Sequence, residues 1–206
     1  MPRAPLTTRR LLGLDRSGPP PPQTLKGQPL RPWTIPNAID YVRLALIPVF
    51  LVIAVSSGDG QDWRAVLIFA IVGWSDYLDG IAARVTGQYS RLGALLDPLI
   101  DRLLVLAGAI VCWHFELLPR WGLALLAARE VFMLGLVRWG MRHGADIKVN
   151  WLGRLGIWPV LGALFAAMAG LKALGEILLY IGLALVFAAT ATYVRDGLAS
   201  RPSSTG

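Results

Sequence analysis

Ser75-Asp76-Tyr77-Leu78-Asp79-Gly80-Ile81-Ala82-Ala83-Arg84 and, after eight intervening residues, Gly93-Ala94-Leu95-Leu96-Asp97-Pro98-Leu99-Ile100-Asp101 decide how this chain is read. Both stretches lie inside long apolar runs. Asp76 and Asp79 are spaced i,i+3 and Asp97 and Asp101 i,i+4, so on helices each pair shares one face. The short polar turn around Thr86, Gly87 and Gln88 predicts that the two helices pack antiparallel. That arrangement gathers four carboxylates at one end of a bundle.

The surroundings of these acids are those of a membrane protein. Of 206 residues, 55% are hydrophobic and only 16% charged. A soluble domain is closer to a quarter charged, and a disordered chain is poor in Leu, Ile and Val. A bilayer core about 30 Å thick asks for roughly 20 mostly apolar residues per span. Six segments qualify: 37–55, 63–84, 93–115, 118–140, 151–169 and 173–193. The expectation is an all-α integral membrane protein of six transmembrane helices. Its domain organisation is a basic, Pro-rich cytoplasmic tail over 1–32, the six-helix domain over 33–195 and a cytoplasmic C-terminal tail over 196–206. Trp33 is the expected interfacial anchor where the tail meets the first span.

Basic residues set the orientation. With the N-terminus inside, only Arg64, Arg120 and Lys172 fall in outer loops, and the other seventeen of the 20 Lys and Arg lie in or near cytoplasmic segments. This bias predicts that both termini are cytoplasmic in a bacterial cytoplasmic membrane and that the acids form a polar active site at the cytoplasmic side. The net charge of +7 then fits anionic lipid, not nucleic acid. The single cysteine, Cys112, excludes an intramolecular disulfide framework and a cysteine zinc site.

An ionised side chain at membrane depth costs about 3 kcal/mol on insertion scales, and four close together repel one another as well. Hard divalent cations, Mg²⁺ or Mn²⁺, suit an all-oxygen donor set with no adjacent His or Cys, and four carboxylates can clamp two of them. Gly80, Ala83 and Gly93 remove bulk beside the acids, where a phosphate-bearing ligand would approach. Arg84 is placed to neutralise such a phosphate. Two plainer readings compete: solvated helix-end acids paired with Arg84, Arg91 and Arg102, and the ion pathway of a divalent-cation carrier. A carrier more often places its acids on broken helices near the midplane.

Taken together, Asp76-x2-Asp79-Gly80-x2-Ala83-Arg84-x8-Gly93-x3-Asp97-x3-Asp101 resembles the complete signature of the CDP-alcohol phosphotransferase family, over roughly residues 33–195. The resemblance implies an enzyme that transfers a phosphatidyl group from CDP-diacylglycerol to an alcohol acceptor and releases CMP. It implies two divalent cations on Asp76, Asp79, Asp97 and Asp101, with Asp101 also the catalytic general base. It implies CDP-diacylglycerol contacts from Asn37, Gly80, Ala83, Arg84, Ser90 and Gly93, and a homodimer.

The acceptor rests on weaker marks. Ile35-Pro36-Asn37 with Arg43 six residues on, Ala128-Arg129-Glu130, and Val149-Asn150-Trp151-Leu152-Gly153-Arg154 resemble the bacterial phosphatidylglycerophosphate synthase branch, whose acceptor is glycerol 3-phosphate. Arg129, Lys148 and Arg154 are the candidate acceptor-binding cations. That branch commonly carries Gly-Lys-x-Lys-Thr where this chain has Gly153-Arg154-Leu155-Gly156-Ile157, so one cation and one hydroxyl are missing. The alternative is the actinobacterial-type cardiolipin synthase, whose acceptor is phosphatidylglycerol. Phosphatidylinositol phosphate synthesis resembles the chain least.

Overall fold

A computed structural model of the chain describes residues 29–142 and 151–199. The described residues contain no strand and form six helices, α1 (Ile35–Ser56), α2 (Trp63–Thr86), α3 (Arg91–His114), α4 (Arg120–Arg142), α5 (Trp151–Met168) and α6 (Lys172–Ala199). Each helix coincides with one of the six expected apolar segments to within a few residues, apart from the C-terminal end of α6. That helix continues to Ala199, so residues 196–199 of the expected tail are helical. Thr86 ends α2 instead of lying in the turn, because its Oγ1 donates to the Ala82 carbonyl one turn back at 2.7 Å. The reversal is made by residues 87–90 and uses Gly87 at φ 65°, a backbone state that a side chain disfavours. Residues 1–28 of the tail expected over 1–32 lie outside the described residues.

Among the described residues, three helices are long and apolar enough to cross a membrane by length and composition: α1, α2 and the Lys172–Thr192 part of α6. Gly156–Met168 in α5 is apolar but shorter. In α3 the apolar run is interrupted by Asp97, Asp101 and Arg102, and in α4 by Arg129 and Glu130. Large apolar side chains turn outward on these helices, among them Val52 at 67% exposure and Trp74 at 68%. A helix bathed in water would present polar residues there, so the outer surface is that of a membrane protein. Trp33 is 91% exposed next to the start of α1, as an interfacial anchor requires.

The chain divides into two compact units. The first takes in α1 to Val52 and the stretch from Leu67 to Leu104. Its core is Ile47, Phe50, Phe69, Val72, Ile100 and Leu104, with the Phe50 and Phe69 rings 5.4 Å apart in a tilted contact. The second takes in Ile53–Val66 and the chain from Val105 onward. There α5 and α6 approach closely at glycines. A Cβ on Gly182 would stand 2.7 Å from Val160 Cγ2, one on Gly156 2.7 Å from Val186 Cγ1, and one on Gly175 3.1 Å from the Ala163 carbonyl oxygen. Small residues that let backbones meet are how helices gain van der Waals contact where lipid removes the hydrophobic drive.

Candidate active site

The site lies within the first unit and is assembled from three helix segments. Ser90 precedes α3, and its Oγ accepts the amide of Gly93 at 2.9 Å, an N-cap for that helix. The same hydroxyl donates to Asn37 Oδ1 at 2.7 Å. Asn37, fully buried in the first turn of α1, donates in turn to the carbonyls of Arg31 at 3.0 Å and Pro32 at 3.1 Å. Gln88 Oε1 accepts the Ile35 amide at 3.0 Å, so the α2–α3 turn also holds the start of α1. Gly93 is needed in this network: a Cβ there would stand 2.8 Å from Asn37 Oδ1 and 3.1 Å from Ser90 Oγ.

Asn37, Gly80, Ala83, Arg84, Ser90 and Gly93, the six residues expected at the nucleotide, all line a single cleft of about 180 Å³. Arg84 folds back one turn along α2, with its guanidinium nitrogens 3.4 and 3.5 Å from where a Gly80 Cβ would be. The glycine therefore leaves room for a cation on the cleft wall. Asp97 and Asp40 line the same cleft. Pro98, which follows Asp97, has no N–H to give to the Ala94 carbonyl one turn back, and Ala94 also borders the cleft.

Asp76 and Asp101 meet at a cation that the acid spacing alone does not announce. Arg43 Nη2 lies 3.0 Å from Asp101 Oδ1, and Nη1 lies 3.6 Å from Asp76 Oδ1 and 3.5 Å from Asp40 Oδ1. Arg43 Nε donates to the Val72 carbonyl at 3.3 Å. Arg43 and Asp40 are each 1% exposed, whereas Asp76 and Asp101 keep 44% and 29% exposure. Asp40 is the site residue that sequence reasoning missed, and Arg43 entered only as a mark of resemblance. The available signal was Asn37-x2-Asp40-x2-Arg43, three polar residues on one face of an otherwise apolar helix.

The donor set fits hard divalent cations: its described ligating atoms are carboxylate oxygens, and two of the carboxylates already converge on one shared cation, the Arg43 guanidinium. Among the described residues, no three or more His, Cys, Asp or Glu stand close enough to hold an ion as their side chains are placed. The Asp79 side chain lies outside the described residues, although its backbone is in α2 between Asp76 and Gly80.

Of the expected acceptor cations, Lys148 and the Arg154 side chain lie outside the described residues. Arg129 belongs to the second unit, where Nη1 pairs with Glu130 Oε1 and Nε donates to Thr190 Oγ1 of α6 at 3.3 Å.

Apolar helices around a cleft lined by Asp40, Asp97 and Arg84 are those of a membrane protein with a charged pocket among its helices. The chain belongs to the CDP-alcohol phosphatidyltransferase family, whose profile matches residues 33–188. It is 41% identical over 136 residues to the CMP-forming cardiolipin synthase of Streptomyces coelicolor, covering 64% of this chain and 63% of that protein. A putative cardiolipin synthase of Mycobacterium tuberculosis is 40% identical over 122 residues, 59% of this chain and 57% of its own length. The chain thus spans less than two thirds of these two relatives. The CDP-diacylglycerol–glycerol-3-phosphate 3-phosphatidyltransferase of Bacillus subtilis is 31% identical over 66% of this chain and 77% of its own length. The Shigella flexneri protein of the same name is 32% identical over 76% of this chain and 87% of its own length.

Proposed function

We propose that this protein transfers a phosphatidyl group from CDP-diacylglycerol to the hydroxyl of an alcohol acceptor and releases CMP. The observation that carries this reading is the single cleft lined by all six residues expected at the nucleotide and by Asp97. Arg84 pairs with the diphosphate, and Gly80 and Gly93 let it approach the backbone. Asn37 and Ser90 fix the cleft floor through the network that joins α1 to α3. Asp76, Asp79, Asp97 and Asp101 are the residues that would hold two divalent cations, Mg²⁺ or Mn²⁺. Bound there, such cations supply the positive charge that offsets the diphosphate and the charge growing on CMP.

Asp101 takes the proton from the acceptor hydroxyl. The hydroxyl oxygen then bonds to the phosphorus that carries the diacylglycerol, and the bond from that phosphorus to the CMP oxygen breaks. Asp101 suits this role because it combines 29% exposure with a 3.0 Å tie to Arg43, which keeps the carboxylate both reachable and fixed.

The acceptor supported best is phosphatidylglycerol, giving cardiolipin. Two observations favour it: the 41% identity to the Streptomyces coelicolor cardiolipin synthase, and Leu155-Gly156-Ile157 where a phosphate-binding branch carries a second cation and a hydroxyl. Engagement of Arg129 by Glu130 and Thr190 also removes the most evident free cation for a dianionic acceptor. The second reading, glycerol 3-phosphate giving phosphatidylglycerophosphate, draws support from the longer match to the Shigella flexneri relative. The positive-inside bias supports a cleft open to the cytoplasm, with both termini on that side of a bacterial cytoplasmic membrane. Family membership supports a homodimer.

The deciding experiment measures CMP release from CDP-diacylglycerol by the purified protein with Mg²⁺ or Mn²⁺. Phosphatidylglycerol, glycerol 3-phosphate and inositol phosphate are offered in parallel. Release dependent on phosphatidylglycerol, with cardiolipin as product, is the expected result. Release with glycerol 3-phosphate alone replaces the acceptor, and no release with any of them leaves the divalent-cation carrier as the reading.

A further inference from the structure

Four acids near a cleft account for cation binding, but they do not account for α1. That helix inserts a buried arginine among them, and burying a guanidinium is unfavourable unless opposite charge and hydrogen bonds compensate. Here they do. One planar group reaches Asp101 on α3, Asp76 and the Val72 carbonyl on α2, and Asp40 on its own helix. Asp40, equally buried, cancels the formal charge of Arg43. The α1 pair is therefore neutral, and the four negative charges of Asp76, Asp79, Asp97 and Asp101 remain, matching two divalent cations. Meanwhile Arg43 stands against two of the four acids and supplies positive charge where cations would come.

We propose that Arg43 is a positioning residue that acts as the resident counter-ion of the acidic site: it holds Asp76 and Asp101 in place when no divalent cation is present, and its charge limits how tightly such cations bind. The inference rests on the metal-binding reading given above. A plain structural tie between helices would stabilise the protein equally with and without metal. A counter-ion stabilises it chiefly in the absence of metal, because bound cations relieve the repulsion that Arg43 otherwise relieves.

The test uses the purified full chain in detergent. Apparent melting temperature is recorded in EDTA and in saturating Mn²⁺, and Mn²⁺ binding is followed by the electron paramagnetic resonance signal of the free ion. Arg43→Gln is expected to melt well below the parent protein in EDTA and much closer to it in Mn²⁺. It is expected to bind Mn²⁺ about tenfold more tightly or better, since a like charge a few ångströms away has been removed. Arg43→Lys keeps the charge but lacks the fork that reaches both carboxylates. It should show a smaller gap in EDTA that also closes in Mn²⁺, and it decides the matter if Arg43→Gln does not fold. A gap that is the same in both media, with unchanged Mn²⁺ affinity, overturns the proposal while leaving the metal site standing. A parent protein whose melting and free-ion signal do not respond to Mn²⁺ overturns the metal reading and this inference with it.

Discussion

The polar face shared by α1, α2 and α3 and the seam between α5 and α6 are both close helix contacts, built from opposite materials. At the seam, Gly156, Gly175 and Gly182 clear space, and backbone meets aliphatic side chain at van der Waals distance. At the polar face, Arg43, Asn37 and Ser90 bridge the helices by hydrogen bonds and ion pairs of 2.7–3.6 Å. In a lipid surrounding, small residues are the cheaper way to bring helices together. A face that uses buried charge instead carries a cost that folding alone does not explain, and the cleft proposed for the nucleotide lies on that face. The glycines differ in the same way. Those of the seam make room for neighbouring helices, whereas Gly80 and Gly93 make room for a guanidinium and for the Asn37–Ser90 bond beside the cleft.

Substitutions that separate activity from stability test this contrast. The largest effect is expected at Asp101. Asp101→Asn keeps an acceptor for Arg43 but loses the base, so CMP release should fall about 10³-fold or more while CDP-diacylglycerol binding persists. An active Asp101→Asn protein would remove the base assignment. Gly93→Ala comes next. Its methyl group would press on Asn37 Oδ1 and Ser90 Oγ, and a disturbed buried hydrogen bond costs about 1–3 kcal/mol. The expected reading is a KM for CDP-diacylglycerol raised roughly tenfold or more, with a smaller change in kcat.

Gly182→Ala probes the opposite region. The added methyl would meet Val160 Cγ2 at 2.7 Å and the Val160 amide nitrogen at 3.0 Å, and overpacking of this kind costs about 1–3 kcal/mol. Melting should shift downward, with CMP release per folded molecule unchanged. A large loss of specific activity would show that the seam takes part in catalysis. The smallest effect is expected for Thr190→Val, which removes the hydroxyl that accepts from Arg129. Interhelical bonds of this type average about 0.6 kcal/mol in membranes, so stability should barely move. A selective rise in the KM for the acceptor would instead place Arg129 at the acceptor.

The helices were readable from the sequence because each is a long apolar run closed by Gly, Pro or charge. Gly80, Ala83, Arg84, Gly93 and Asp97 were readable because helical spacing and one short turn leave them few places to go, whereas Asn37 and Ser90 entered only through the family resemblance, since no rigid spacing ties Asn37 to the acids. Asp40 was not, since an isolated acid three residues before an arginine reads as an ordinary intrahelical pair, and only contact with α2 and α3 gives it a part in the site. Arg129 was readable as an unusual intramembrane charge, but its engagement by Glu130 and Thr190 depends on where α6 lies.

Local spacing and hydropathy by themselves determined the all-helical architecture and, through the acids and glycines of α2 and α3, the resemblance to the family, because periodicity within one helix and across one tight turn is a local property. Tertiary structure decided which cation the acids face. Arg43 lies 33 residues before Asp76 and 58 before Asp101 in the chain, and no local pattern links positions so far apart until α1, α2 and α3 pack and bring the guanidinium between the carboxylates.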